Sequence, residues 1–276
     1  MKWQALFGIS LFMLLILTTY PVQAAGPTTE VHVVKYSTDG KILKEITVNY
    51  QWMGTNLPIY GDGVTHYFHQ GPIFEGDKWD QNETANFKDR GAVKGTDIKD
   101  LCELVGGMSP GDDVMVHAPD GYHVEFNYKN VYEPQPRQGP LVICWYNGED
   151  VEVGERQGMG YPPDYYTGMR LVFFADDSVN PEHKHVFGNW DMHECLPEQS
   201  QHFYGDLYPS TSGLTVKWVD EIRIYSGGYT SEKSNLEKSP ATTPIGFESL
   251  FAIAGLLIAG LLLVFYAFRR AYGGKR

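Results

Sequence analysis

The sequence predicts a strand-dominated chain with one clear helix, closed by a C-terminal transmembrane helix. Three observations predict it. Runs that alternate apolar and polar residues, separated by Gly, Asn and Asp turns, recur through most of the chain, and this period of two belongs to half-buried strands. One segment, "GTDIKDLCELVGGM", changes to helical spacing. Near the end, "GFESLFAIAGLLIAGLLLVFYAF", residues 246–268, is apolar apart from Glu248 and Ser249 and long enough to span a bilayer as a helix.

The N-terminus reads as a signal peptide over residues 1–24: Lys2, an apolar run, then Val22 and Ala24 at the positions a signal peptidase reads. Residues 25–93 then form an N-terminal β-hairpin and a long loop. "VHVVKYSTDGKILKEITVNYQWM" supplies two β-rich runs around an Asp39-Gly40 turn. Residues 54–95 are rich in Gly, Asp and aromatic residues and nearly free of periodicity, and a loop of that length is functional or wraps the core. Within it Asn82-Glu83-Thr84 is a glycosylation sequon, so Asn82 is expected at the surface. The helix follows, capped by Thr96 or Asp97, with Ile98, Leu101, Cys102 and Val105 on one face and Gly106-Gly107 as its stop. Strands are expected in "DDVMVHAP", "YHVEFNY", "PLVICWYNGEDVEV", "MRLVFFA" and "LTVKWVDEIRIYS". Residues 227–244 read as a flexible stalk and 269–276 as a basic cytoplasmic tail, which places the bulk of the chain outside the cytoplasm as a single-pass cell-surface protein.

Charge narrows the partners. With 22 Lys and Arg against 34 Asp and Glu, the formal net charge is −12, and such a surface repels phosphate backbones, so nucleic acid is excluded as a partner class. Cys102, Cys144 and Cys195 are an odd set, permitting one disulfide and one thiol left over, with the pairing undetermined by spacing.

Two resemblances add to this reading. "TPIGFESLFAIAGLLIAGLLLVFYAFRR" resembles the C-terminal sorting signals of archaeal surface proteins, in which Pro-Gly-Phe precedes the hydrophobic span, although here Ile245 interrupts the tripeptide. Residues 94–226 resemble the molybdopterin-binding domain of sulfite-oxidase-type oxidoreductases. Asp120-Gly121-Tyr122, Asn147-Gly148-Glu149, Met169-Arg170-Leu171 and Lys217-Trp218-Val219 stand at the matching places. The resemblance implies an α+β fold on a mixed, twisted β-sheet, with molybdopterin as cofactor. The family's molybdenum ligand is a cysteine upstream of the helix, and this chain has none there. Cys102, on the buried helix face, does not inherit the role, so the resemblance implies the fold without oxo-transfer chemistry.

Between "RLVFFA" and "LTVKWV" the chain carries an insertion that holds "HKHVFGNWDMHEC" and, in Phe187, Trp190 and Phe203, the aromatic residues to pack it on the body. Imidazole and thiolate suit Cu or Zn. One reading gathers His66, His69, His185, His193 and Cys195 into a metal site, with His183 spare and Asp191 and Glu194 as orienters or oxygen ligands. The other ties each histidine separately into its loop. Three functions remain open: a metal- or cofactor-binding surface domain, a module that contacts envelope proteins or glycans through its Tyr and Trp residues, and an active molybdopterin enzyme, which would be an oxidoreductase.

Overall fold

In "EVHVVKY" the apolar residues alternate, and this stretch forms β1 (Glu30–Tyr36), which turns back through Gly40 at φ 77° into β2 (Ile42–Asn49). The computed structural model describes residues 26–151, 154–177 and 180–230. The β1–β2 hairpin is antiparallel, with Val31 opposite Val48 and Val33 opposite Ile46. The second strand was expected to run on to Met53, but it stops at Asn49, whose side chain accepts from the Trp52 amide at 2.8 Å and starts α1 (Tyr50–Asn56).

The remaining strands are β3 (His66–Gln70), β4 (Phe87–Asp97), β5 (Asp113–His117), β6 (His123–Asn127), β7 (Leu141–Asn147), β8 (Arg170–Phe173), β9 (His185–Phe187), β10 (Phe203–Tyr204), β11 (Tyr208–Pro209) and β12 (Glu221–Tyr225). Three short helices join them: α2 (Ile98–Glu103), α3 (Tyr128–Tyr132) and α4 (Asn189–Cys195). One five-stranded sheet has the order β2-β1-β12-β5-β6 and a second has β8-β7-β4-β3-β9, while β10 and β11 pair with each other. The β1/β12 and β3/β9 pairings are parallel and the others antiparallel. The fold is thus α+β, rich in mixed sheet and poor in helix, but with two sheets where one was expected.

Several boundaries move. The segment expected as a long loop over 54–95 contains β3 and most of β4, and β4 runs through the expected domain boundary at residue 93. The expected helix is α2, capped as anticipated by Asp97, whose carboxylate accepts from Lys99 N at 3.0 Å. Its Ile98, Leu101 and Cys102 enter the main core with Val114, Phe126, Ile143 and Phe173. Cys144 belongs to a second apolar cluster with Val93, Val172 and Phe174, and all three cysteines are free thiols.

The expected transmembrane helix requires correction. Among the described residues no helix is long and apolar enough to cross a membrane: the longest have seven residues, against the roughly 20 that a bilayer core demands. The segment assigned to that helix, 246–268, lies outside the described residues, as do the signal peptide, most of the stalk and the basic tail. The single-pass, cell-surface placement that depended on the helix is corrected with it.

The insertion is built into the body. Val186 and Phe187 are buried, and Phe187 stacks on Phe173 with ring centroids 4.2 Å apart. Phe187→Ala should therefore destabilise the chain by about 3–5 kcal/mol in urea unfolding. A loss below about 1 kcal/mol, the range of surface substitutions, would show that the insertion is an appendage.

Candidate functional site: a basic cavity

The histidine segment does not assemble as a metal centre. Among the described residues no group of three or more His, Cys, Asp and Glu side chains is placed to hold an ion. His66 bonds Asp89 through Nδ1 at 2.8 Å, and His69 lies fully buried, edge-on to Phe173 and Phe187. Nδ1 of His185 donates to the Ala175 carbonyl at 2.8 Å. His193 bonds Glu194 at 3.1 Å and stacks on Trp190. Cys195 ends α4 with its thiol pushed up to about 12 by burial. The described structure thus does not bring the five expected ligands together: His66, His185 and His193 each bond a separate partner, and His69 is buried among aromatic rings with neither ring nitrogen hydrogen-bonded. Asn82 is exposed, as the sequon reading requires of a modified residue.

Next to that segment is a group the sequence reading missed as a unit. Glu83, inside the sequon, is fully buried, and one of its carboxyl oxygens accepts from the Asp191 amide at 3.2 Å. Asp191 is also fully buried and pairs with Arg137 Nε at 3.1 Å. Burial, then the neighbouring Asp191 charge, pushes the Glu83 carboxyl far above the carboxylate range, so Arg137 neutralises Asp191 while Glu83 keeps its proton. Gly188 is required here because a Cβ at that position would lie 2.0 Å from the Glu83 carboxyl carbon. The pair fastens the 71–86 loop to α4.

A large concavity lies elsewhere, and cations outnumber anions in its lining, four to three: Lys88, Arg90, Arg170 and Lys217 against Asp89, Asp120 and Glu155. A cavity of about 740 Å³ is lined by Lys88 and Arg90 of β4, Arg170 of β8, Lys217 and Trp218 before β12, and the Asp120 to Tyr122 turn. That volume is in the range of small-molecule sites. Arg90 is 5% exposed and Arg170 2%. Arg170 is held in place by two bonds, Nη1 to Gln157 Oε1 at 3.1 Å and Nη2 to Thr215 Oγ1 at 2.8 Å. Gln157 is itself fixed, donating to the Asp89 carbonyl at 3.0 Å. Arg90 has no carboxylate within ion-pairing distance among the described residues. Burial and the Arg170 charge both press its guanidinium below its ordinary value, and a guanidinium stays charged regardless.

Three polar atoms of the cavity lining are buried without a partner: Arg90 Nε, Arg170 Nε and Ser212 Oγ. All three lie behind the cavity surface, and the two desolvated guanidiniums beside them leave a positive charge that an anion in the cavity would offset. Aromatic side chains stand at the rim. Trp218 is oriented by its indole N–H donating to the Tyr166 carbonyl at 2.8 Å, and the Tyr122 hydroxyl donates to the Gly213 carbonyl. The cavity can therefore take a charged group beside its cations and a ring against Tyr122 and Trp218.

The sequence carried more of this than it revealed. Asp120 and Tyr122, Arg170, Lys217 and Trp218 come from three of the four motifs on which the molybdopterin-domain resemblance rests, and they meet in this one space. Lys88 and Arg90 had a weaker signal, two basic residues at the i, i+2 spacing that puts neighbours on one face of a strand. Compared with known proteins, the chain matches no protein family and no curated sequence.

The buried carboxyl pair makes stability fall as pH rises. Folded, Glu83 retains a proton that the unfolded chain, with an ordinary value of 4.5, has already released. Its contribution is complete below that unfolded value and is lost progressively above it. His69 and His202, both lowered from 6.5, act in the opposite sense but only below that value. Between about pH 7 and about pH 8.5 the unfolding free energy should thus decline by up to roughly 1.4 kcal/mol per unit, and Glu83→Gln should flatten the slope. Urea titrations at several pH values check this, and an equal slope in the variant would contradict it.

Proposed function

We propose that this chain is a binding module for a small organic anion that carries a ring, built on a fold of the sulfite-oxidase molybdopterin-domain type. The observation that carries the reading is the pair of buried guanidiniums, Arg90 and Arg170, in the lining of the cavity. Burying one such charge without compensation costs several kcal/mol, and a ligand anion offsets that cost. Molybdopterin, the cofactor that the resemblance implies, has both features the cavity accommodates, a phosphate and a fused ring.

The fit is to the organic part only. A thiolate is what the family supplies to molybdenum, and the cavity lining contains no cysteine. Cys102 and Cys144 lie buried in the two apolar clusters, where burial raises both thiols, Cys144 well above its ordinary value. These residues do not fit the metal, and no reaction step is derived through it. Arg90 and Arg170 would hold an anionic group, Lys217 would close over it, and Trp218 and Tyr122 would flank the ring.

Calorimetric titration with phenyl phosphate, which combines a phosphate with a ring, tests the reading. One molecule should bind per chain, and Arg170→Met and Lys217→Ala should each weaken binding by about tenfold or more, the worth of a charge-assisted hydrogen bond. Lys217 is partly exposed, so its variant probes binding without disturbing the core. Unchanged affinity in both variants would remove the cavity as the site.

A further inference from the structure

The cavity contains an anion of its own. Glu155, on the connection between β7 and β8, bonds Lys217 Nζ through Oε1 and lies 3.9 Å from Arg170 Nη1 through Oε2. Its side chain is 49% exposed. Gly154, immediately before it, has φ +110°, and a Cβ there would meet nothing within 4 Å, so no packing clamps the residue from that side. The other two cavity carboxylates are engaged with their own loops: Asp89 with His66 and the Gly91 amide, Asp120 with the Tyr122 amide. Glu155 alone among the three is bound to the cavity's cations.

We propose that Glu155 is a built-in competitor that sets the ligand class: binding is an exchange in which the ligand's anionic group takes Lys217 and Arg170 from Glu155. This rests on the reading of the cavity as an anion site. A tethered carboxylate acts at an effective concentration of about a millimolar or more, so a free monocarboxylate replaces it like for like and gains nothing. A phosphate monoester carries close to two charges and three acceptor oxygens. Its extra charge and its third oxygen exceed what the Glu155 carboxylate offers Lys217 and Arg170. Charge agrees with this choice. With Glu155 withdrawn, Lys88, Arg90, Arg170 and Lys217 face only Asp89 and Asp120, a surplus that a dianion neutralises and a monoanion does not. The Glu155 carboxyl is held below its ordinary value, against the opposing effect of burial, by the Lys217 hydrogen bond and the charges of Arg170, Lys217 and Arg90, so the competitor is ionised at neutral pH.

Glu155→Gln in the full chain tests the proposal, because it keeps the shape of the side chain and removes its charge. Titration with phenyl phosphate and with benzoate, a ring-bearing dianion and monoanion, gives the readout. Wild type should bind phenyl phosphate and not benzoate. The variant should bind phenyl phosphate about tenfold more tightly and acquire measurable benzoate binding. If wild type binds phenyl phosphate and Glu155→Gln binds it equally or more weakly, still without benzoate, Glu155 is no competitor while the cavity reading stands. If neither protein binds either compound, the cavity reading itself has failed. An unchanged urea midpoint in Glu155→Gln confirms that the comparison is between folded proteins.

Discussion

Two guanidiniums removed from water are the constraint around which the other features of this molecule arrange themselves. Arg90 and Arg170 are nearly inaccessible in a chain with a formal charge of −12, yet the carboxylates that might have neutralised them are mostly committed elsewhere. Removing a charge from water is tolerated only when hydrogen bonds and opposite charge replace the solvent. Arg170 obtains its hydrogen bonds from Gln157 and Thr215, and Arg90 obtains no ion pair among the described residues. His69, buried beside them, is kept neutral by its burial and by their charge. The anions that act on these two guanidiniums are Glu155, 3.9 Å from Arg170, and Asp89 beside Arg90.

The sheet and the insertion hold this arrangement rigid from opposite sides. Cys144 of β7 pairs in register with Arg170 of β8, and β4 carries Lys88 and Arg90 in the same sheet, so these three cations are spaced by strand geometry, while Lys217 comes from the segment before β12. The histidine-bearing insertion seals the far edge through β9 and the Phe187 ring on Phe173, while the Glu83, Asp191 and Arg137 cluster ties the preceding loop to α4. Of the residues that looked like metal ligands, His69 is buried against Phe173 in this sheet, whereas His193 is exposed on α4.

How much was legible follows from what each signal encodes. The hairpin, α2 and five further strands were readable because alternation and capping act locally. α1, α3 and α4 were missed because, unlike α2 with its flanking Asp97 and Gly106-Gly107, each begins at a residue, Asn49, Asn127 or Gly188, whose capping role shows only once the chain is folded. β3 was missed because "HYFHQ" has a bulge against β4 and no clean alternation. The separation of the expected metal ligands has a related reason: composition gives the chemistry of a ligand set but not the direction of its side chains. His66 and His69 lie on one strand, yet one faces Asp89 and the other enters the core. The cavity was half visible, since the motifs at Asp120, Arg170 and Lys217 were recognised, but as features of the fold rather than as walls of one space.

Thermal unfolding in phenyl phosphate and in sodium chloride of equal ionic strength tests the central claim most directly, because a ligand that completes buried cations stabilises only the folded chain. At a concentration near 100 times the dissociation constant the gain is about 2.7 kcal/mol, which for a domain of this size corresponds to a rise of roughly 5–10 °C in Tm. The account predicts that rise in the wild-type chain and its disappearance in Arg170→Met. Equal Tm values in the two salts, with wild-type protein and phenyl phosphate in the millimolar range, would contradict it.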